Sequence, residues 1–305
     1  MLRLQAGSGG AVTEASLPGH FVAGAFRIGP VLSRTASLFA RNFVTYLVVT
    51  AIAALPPLLV AILVPASPAS LANPFQNVGV GAVTVFLTIL LGVLSQAIVL
   101  YGALQDMSGR PVRLADCVTV GLRRFLPLIG LAICLGGAMV AYMVFLVLAV
   151  AGLIQMIPQS PVLVTLGVLL LFIPLPIFYL MWLVATPACV VERLGPFRSL
   201  GRSRALTKGH RWKLLGLLLA VLIPALIVAG VTGAVMASLG IGVNLLIGMF
   251  FDLTRSQSTI SAQIVRLIWT AVWTSFYAIL VAVAYHDLRV AKEGADTRTI
   301  AAVFE

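Results

Sequence analysis

The sequence predicts an all-α polytopic membrane protein with six transmembrane helices, arranged as three parallel hairpins that each follow a basic cytoplasmic interfacial helix. Of its 305 residues, 61% are hydrophobic and only 10% are charged, whereas soluble domains carry about 25% charged residues. Apolar runs of about 20 residues recur, and a helix of that length crosses the ~30 Å hydrocarbon core of a bilayer. These runs must be helical because lipid offers the backbone no hydrogen-bond partners.

The predicted membrane domain covers residues 25–290. Residues 1–24 are rich in Gly, Ser and Ala and lack the continuous apolar core of a signal peptide, so we expect a flexible cytoplasmic tail. Residues 291–305 are expected to form a cytoplasmic C-terminal tail. The segment 241–260 is too polar in its second half to span, which favours an outer interfacial or partly re-entrant piece.

Proline residues predict kinks in several spans. Pro174 and Pro176 remove backbone donors from the fourth span, and such a break persists in lipid only where neighbours satisfy the freed carbonyl groups. Pro56, Pro57 and Pro224 predict further kinks in the first and fifth spans. The six spans are predicted at Phe43–Val64, Val78–Leu104, Phe125–Ile154, Val162–Val190, Leu214–Leu239 and Leu267–Tyr285.

The cations are divided unevenly between the two sides of these spans. The termini and the loops after spans two and four hold 18 of the 20 Lys and Arg residues, and only Arg255 and Arg266 fall on the other side. Seven of the 18 lie between Arg193 and Lys213. The positive-inside rule therefore predicts a bacterial inner-membrane protein with both termini in the cytoplasm.

Three basic segments resemble one another, which predicts three parallel repeats covering residues 26–109, 110–194 and 195–290. They are "GPVLSRTASLFARNF", "RPVRLADCVTVGLRRF" and "GPFRSLGRSRALTKGHRW", and two spans follow each of them. Parallel repeats are related by an axis along the membrane normal. Generic topology remains the alternative, because any bundle with an even number of spans alternates its charge.

The three basic segments differ in amphipathicity. The first has one apolar face with the period of a helix, formed by Val31, Leu32, Thr35, Leu38 and Phe39. In the second, Leu114, Val118 and Leu122 align. The third carries cations on more than one face, so we expect it to contact both lipid phosphate and carboxylates of neighbouring repeats.

The third segment supplies most of the candidate anion-binding residues, with hydroxyl groups as neutral donors. They are Arg198, Arg202, Ser203, Arg204, Thr207, Lys208, Arg211 and Lys213. Carboxylates near helix C-termini are disfavoured unless they are paired, so the acids there predict structural counter-charges: Asp106, Glu192 and Asp287, with Arg289 beside the last. Ordinary positive-inside topology with solvated ion pairs remains the alternative.

The stretches "PACVVERLGPFRSLGRSRALTKGHRW" and "AYHDLRVAKEG" resemble the membrane domain associated with glycerophosphoryl diester phosphodiesterases, which also occurs alone in uncharacterised bacterial multispan proteins. The resemblance implies a multispan fold and no enzyme, because the family's hydrolase module is a separate soluble barrel with metal-binding acids and histidines. Matching positions are Pro187, Glu192, Arg193, Arg202, Ser203, Leu206, Thr207, Lys208, Gly209, Tyr285, Asp287, Leu288, Arg289, Lys292, Glu293 and Gly294.

Catalytic and metal-binding motifs are missing from the sequence. The three cysteines have no ligand spacing, the three histidines fit no metalloenzyme motif, and neither GxSxG nor GxxxxGK[ST] occurs. No aromatic-interleaved basic module indicates nucleic acid. The sequence thus predicts a protein that is not a catalyst, without metal or cofactor, whose basic face binds anionic lipid head groups or an acidic partner.

Two other functions stay open. A permease or lipid-handling transporter would show a continuous polar cavity between its helices. A membrane enzyme acting on a phosphate-containing lipid would need His210, His286 and an acid in one cluster.

Overall fold

A computed structural model describes residues 26–63, 78–109, 113–156, 160–239 and 260–293. The regular structure of these residues is α-helical, and six helical segments are long and apolar enough to cross a membrane. The chain is therefore an all-α polytopic membrane protein. The predictions for residues 1–24 and for most of 241–260 lie outside the described residues.

The described residues form eleven helices, three of which belong to the fourth span. They are α1 (Ile28–Arg41), α2 (Phe43–Leu63), α3 (Val78–Met107), α4 (Leu114–Arg123), α5 (Phe125–Met156), α6 (Pro161–Phe172), α7 (Pro174–Trp182), α8 (Ala185–Val191), α9 (Pro196–Thr207), α10 (Arg211–Ser238) and α11 (Ile260–Glu293).

The helix bounds agree with the predicted spans except at the last. Helix α11 begins before Leu267 and continues past Tyr285 to Glu293, so the boundary of the C-terminal tail placed after residue 290 falls inside a helix. Helices α2 and α10 continue through their prolines without interruption. Pro174, by contrast, begins a new helix.

The fourth span is interrupted twice, and a hydroxyl group from a neighbouring helix serves each break. At the first, the Tyr142 hydroxyl of α5 donates a hydrogen bond to the Leu171 carbonyl. At the second, between α7 and α8, the Ser203 hydroxyl of α9 donates to the Met181 carbonyl at 2.8 Å. Backbone acceptors exposed by a break in lipid need such partners, so α9 helps to stabilise the irregular end of this span.

Helix α11 lies at the centre of the bundle and packs against α2 and α3. Its residues 278–285 are all buried. The Thr50 hydroxyl of α2 lies 2.9 Å from the Ser275 hydroxyl, and it donates to the Ala271 carbonyl at 3.1 Å. Small polar side chains that bond across helices are typical of membrane bundles, and here they fix α2 against α11.

Each interfacial helix packs against the second span of a hairpin: α4 and α9 use the hairpin that precedes them in the chain, whereas α1 uses the last hairpin. Helix α1 packs on α11, α4 on α3, and α9 on α7 and α8. The predicted inner face of α1 is confirmed, since Val31, Thr35 and Leu38 are buried. The apolar stripe of α4, formed by Leu114, Val118 and Leu122, is instead exposed, while the small Cys117 and Gly121 face the bundle.

Candidate functional site

Helices α8, α9 and α11 meet in a set of paired charges that we call the acid–base network. It consists of Glu192, Arg202, Tyr285, Arg289 and Glu293. The Arg202 Nε lies 2.9 Å from each carboxylate oxygen of Glu192, and its guanidinium also donates to Glu293. Tyr285 donates to Glu192 at 2.7 Å, and Arg289 donates to Glu293 at 2.8 Å. The network ties α9 to the ends of two spans.

The network stabilises the charged form of Arg202. Burial alone would lower the pKa of Arg202, but its hydrogen bonds to Glu293 and Glu192 outweigh burial, so the pKa is raised. Its side chain is only 28% exposed. Arg202 therefore serves as an internal connector, and we leave it out of the set of cations offered to an external anion.

The other two predicted counter-charges also contact arginines, but not their neighbours in the chain. Asp106 accepts from Arg41 at 2.7 Å and from Asn42 at 2.8 Å. Asp287 accepts from Arg34 at 3.2 Å, so it joins α1 to α11. Arg289, which we expected beside Asp287, bonds to Glu293 instead. Arg110, the first cation after Asp106 in the sequence, lies outside the described residues.

Two hydroxyl groups predicted to help bind an anion point inward. Ser203 is fully buried and donates to Met181. Thr207 is also buried and donates to the Ser203 carbonyl at 3.0 Å. Both groups serve the packing of α9, and we do not include them in the proposed binding surface. Arg211 is half-buried, and its Nε has no hydrogen-bond partner among the described residues.

The remaining predicted cations are exposed on α9, at its C-terminal end and on the first turn of α10. We call Arg198, Arg204, Lys208 and Lys213 the outer cations; all are exposed, and none pairs with a carboxylate among the residues that the structure describes. Two aromatic side chains lie on the same elements: Phe197 is 78% exposed and Trp212 is 85% exposed. Cations beside exposed aromatic rings are characteristic of the membrane–water interface.

His210 lies next to these cations at the N-terminal end of α10. Its ring makes an edge contact with Phe26, with 6.3 Å between the ring centroids. Burial is the main cause of its lowered pKa, and the positive charges of Lys213 and Lys292 act in the same direction. His286 contacts Asp287 instead. Within the described ranges, no three His, Cys, Asp or Glu side chains are placed to hold a metal ion.

A second basic feature, which the sequence analysis did not identify, is a recess of about 350 Å³ between α3, α4 and the α8–α9 connection. Arg123, Arg124 and Arg193 line it, and we call it the arginine recess. Its other lining residues are Tyr101, Leu104, Gln105, Ser108, Val120, Val190 and Val191. The sequence alone could not predict this recess, because its three arginines come from two separate parts of the chain. The number of cations on this side of the spans was the one signal available.

A larger cavity of about 690 Å³ lies between α3, α5, the broken fourth span and α11. Aromatic rings dominate its wall, and Phe178 stacks on Trp182 with 5.7 Å between centroids. The Tyr179 and Tyr277 hydroxyl groups, 2.6 Å apart, bond to each other, so little polar capacity faces the space. We call it the aromatic cavity. It is predominantly apolar, so it is not the continuous polar cavity that we expected of a permease or lipid-handling transporter.

Fold and site together define a polytopic α-helical membrane protein whose charged groups are concentrated at one end of its bundle. No protein-family model, curated protein or solved structure matches the chain.

Proposed function

We propose that this protein retains anionic phospholipid at its basic end and is not a catalyst. The observation that carries the proposal is that the consecutive helices α9 and α10 expose the outer cations together with the aromatic side chains of Phe197 and Trp212. Each basic residue near an anionic leaflet contributes about 1 kcal/mol of attraction. The carboxylates that pair with Arg34, Arg41 and Arg202 leave the outer cations without internal compensation.

The proposal places the basic end in the cytoplasmic leaflet of a bacterial inner membrane, with both termini in the cytoplasm. The uneven division of the cations between the two sides supports this orientation. An acidic protein partner could use the same surface, but the exposed aromatic side chains favour lipid, because aromatic rings are enriched at the level of the head groups.

We also propose the threefold repeat and the kinship with the membrane domain of glycerophosphoryl diester phosphodiesterases. The repeat is supported by the docking of α4 and α9 on the second span of the preceding hairpin, and of α1 on the second span of the last hairpin. The kinship is supported by contacts among residues that carry the resemblance, since Glu192, Arg202 and Glu293 lie in one network.

The test replaces Arg204 and Lys208 with Gln in the full chain. Phosphatidylglycerol adducts are counted by native mass spectrometry at a fixed lipid concentration. Two lost cations at about 1 kcal/mol each predict roughly a thirtyfold weaker retention. The control replaces Arg113, which is exposed at the N-terminal end of α4 and belongs to neither helix that carries the outer cations, and the loss is compared per removed cation. An unchanged adduct count in the first variant, or an equal loss in both, would refute a dedicated surface.

Lipid handling is a second candidate function. The aromatic cavity lacks the polar wall that we expected of a transporter, but an apolar wall suits the acyl chain of a lipid. Ligand pockets commonly measure about 300–1,000 Å³ and are mostly apolar, which describes this cavity. It is walled by a span broken at two places, as in membrane proteins that bind cargo near the bilayer midplane. Retention of uncharged diacylglycerol, which the cations cannot hold, is the observation that would distinguish this function.

A further inference from the structure

We propose that the arginine recess is a phosphate-binding site, and that a membrane lipid supplies the phosphate. The inference deepens the proposed function, on which it rests only for the choice of lipid as the source. The site differs from the outer cations in residues and in shape: it is a hollow formed by three elements rather than one face of an interfacial helix.

The charge of the recess is uncompensated within the described part of the chain. Arg123, Arg124 and Arg193 line it, and no carboxylate belongs to its lining. The described acids nearest in sequence are committed elsewhere, since Asp106 bonds to Arg41 and Glu192 to Arg202. Asp116, on the first turn of α4, is exposed and does not line the recess. Three guanidinium groups in one hollow repel one another unless an anion is present.

The donors in the recess suit phosphate. A guanidinium group presents its N–H groups in a planar fork that binds two phosphate oxygens at once. Tyr101, Gln105 and Ser108 of α3 add polar side chains to the same wall. Arg124 is half-buried, whereas Arg123 and Arg193 are exposed, so the array offers an oxyanion one partly enclosed guanidinium group and two that solvent reaches.

Backbone strain marks one of the three arginines. Arg193 has a φ of +56°, which L-residues other than Gly, Asn and Asp rarely adopt. Arg193 directly follows Glu192, the C-cap of α8, where helices commonly end with a residue in this conformation and glycine is usual. The turn joins α8 to α9 and places Arg193 in the same lining as Arg123 and Arg124.

The remaining lining indicates a lipid rather than a free ion. The rest of the wall is apolar and gives an inorganic ion no hydrogen-bond partner. It consists of Leu104, Val120, Val190 and Val191. A volume of about 350 Å³ falls in the range of small-molecule pockets. The recess also lies at the last turns of α3 and α8, the level at which the fourth span gives way to α9. A lipid phosphate together with the start of its acyl chains matches this combination of arginines and apolar side chains.

The test compares Arg124→Gln with Arg193→Gln and with the control Arg198→Gln, which removes an outer cation instead. Each full-length variant is titrated by native mass spectrometry with phosphatidic acid in one arm and inorganic phosphate in the other. Losing one hydrogen-bonded charge predicts about tenfold weaker binding of the first phosphatidic acid molecule in both recess variants. Arg198→Gln is expected to leave that first molecule unchanged.

The outcomes separate this site from the outer surface. Exposed cations lose their lipid as salt rises, whereas a half-buried cation such as Arg124 is screened less. In the wild type the first lipid should therefore survive higher NaCl concentrations than the lipid held by the outer cations. The site is supported if the recess variants lose the first lipid and the double variant Arg204→Gln/Lys208→Gln keeps it. This result would hold even if the outer cations proved not to bind lipid. Binding of inorganic phosphate that the recess variants lose, without lipid retention, supports a phosphate site with the free ion as its source.

Wild-type affinity of both recess variants in both arms would overturn the proposal. Arg124→Lys covers the case in which Arg124→Gln does not fold, because it keeps the charge but loses the planar fork. It is expected to bind phosphatidic acid more weakly than the wild type and to retain wild-type thermal stability. If Arg124→Lys and Arg193→Gln both bound phosphatidic acid as tightly as the wild type, the proposal would likewise be overturned.

Discussion

The acid–base network and the arginine recess lie on either side of the α8–α9 connection, and they use the same guanidinium group differently. In the network, Arg202 is enclosed by two carboxylates that hold α9 against α8 and α11. In the recess, Arg123, Arg124 and Arg193 converge without a carboxylate in the lining. A cation that the fold has already paired stabilises the fold, whereas one left unpaired in a hollow is available for a ligand. Pairing therefore separates structural from binding roles better than charge count does.

Removing the central carboxylate of the network is expected to have the largest effect. Glu192→Gln keeps the shape of the side chain but weakens its hydrogen bonds to Arg202 and Tyr285. Hydrogen bonds to charged groups contribute about 1.5–3 kcal/mol, so we expect a loss of about 2 kcal/mol in the free energy of unfolding. Thermal unfolding in detergent measures it.

The control for Glu192→Gln is Asp116→Asn, which removes an exposed acid that contacts no cation among the described residues. The control should be close to neutral, because surface changes away from such contacts usually have small effects. Phosphatidic acid binding at the recess should be retained in the fraction of Glu192→Gln that remains folded. Equal stability of the two variants would remove the distinction between paired and unpaired arginines.

A smaller effect is expected from a change that alters no charge. A Cβ atom at Gly130 of α5 would lie 2.8 Å from the Pro196 Cγ at the start of α9, and a proline ring cannot rotate away. Gly130→Ala should push α9 from α5 and displace the nearby Arg193 turn. Overpacking of this kind costs about 1–3 kcal/mol, offset by about 0.5–1 kcal/mol from removing a helical glycine.

Gly137→Ala in the same helix is the matched control, because a Cβ there meets nothing within 4 Å. It should be neutral or slightly stabilising in thermal unfolding. The readout that sharpens the comparison is phosphatidic acid binding, which should weaken several-fold in Gly130→Ala and remain at the wild-type level in Gly137→Ala. Wild-type binding by both variants would mean that the recess does not depend on the position of α9.

Hydropathy was sufficient to predict the spans, because crossing a bilayer fixes both the length and the apolar character of a helix. It was not sufficient for the second break in the fourth span. That break lies at Leu183 and Val184, before Pro187, and the Met181 carbonyl beside it is bonded by Ser203, 22 residues further along. Only the folded chain brings that hydroxyl to the break.

The charged contacts show the same limit. The sequence identified the three acids at the ends of the hairpins as counter-charges, and each does contact an arginine. It could not choose the partners, because Arg34 and Asp287 are 253 positions apart. Glu293 was named only as part of the family resemblance, although its spacing of four residues from Arg289 on a helix is a recognisable pairing signal.

The smallest expected effect concerns His210, which lies among cations on the outer surface. Its pKa is lowered in the folded protein, first by burial and then by Lys213 and Lys292, so the unfolded chain, with a His pKa of about 6.5, takes up the proton first. Stability should therefore fall as the pH drops below about 6.5, level off below the folded pKa, and show no contribution from His210 above 6.5. Thermal unfolding between pH 5.5 and 7.5 measures how steeply stability depends on pH, and His210→Gln should reduce this slope.

Addition of phosphatidylglycerol should also flatten the pH dependence of stability, because an anion bound at the outer cations offsets the positive charge that disfavours protonation of His210. An unchanged slope with lipid present would separate His210 from the anion-binding surface and leave burial as the main cause of its behaviour.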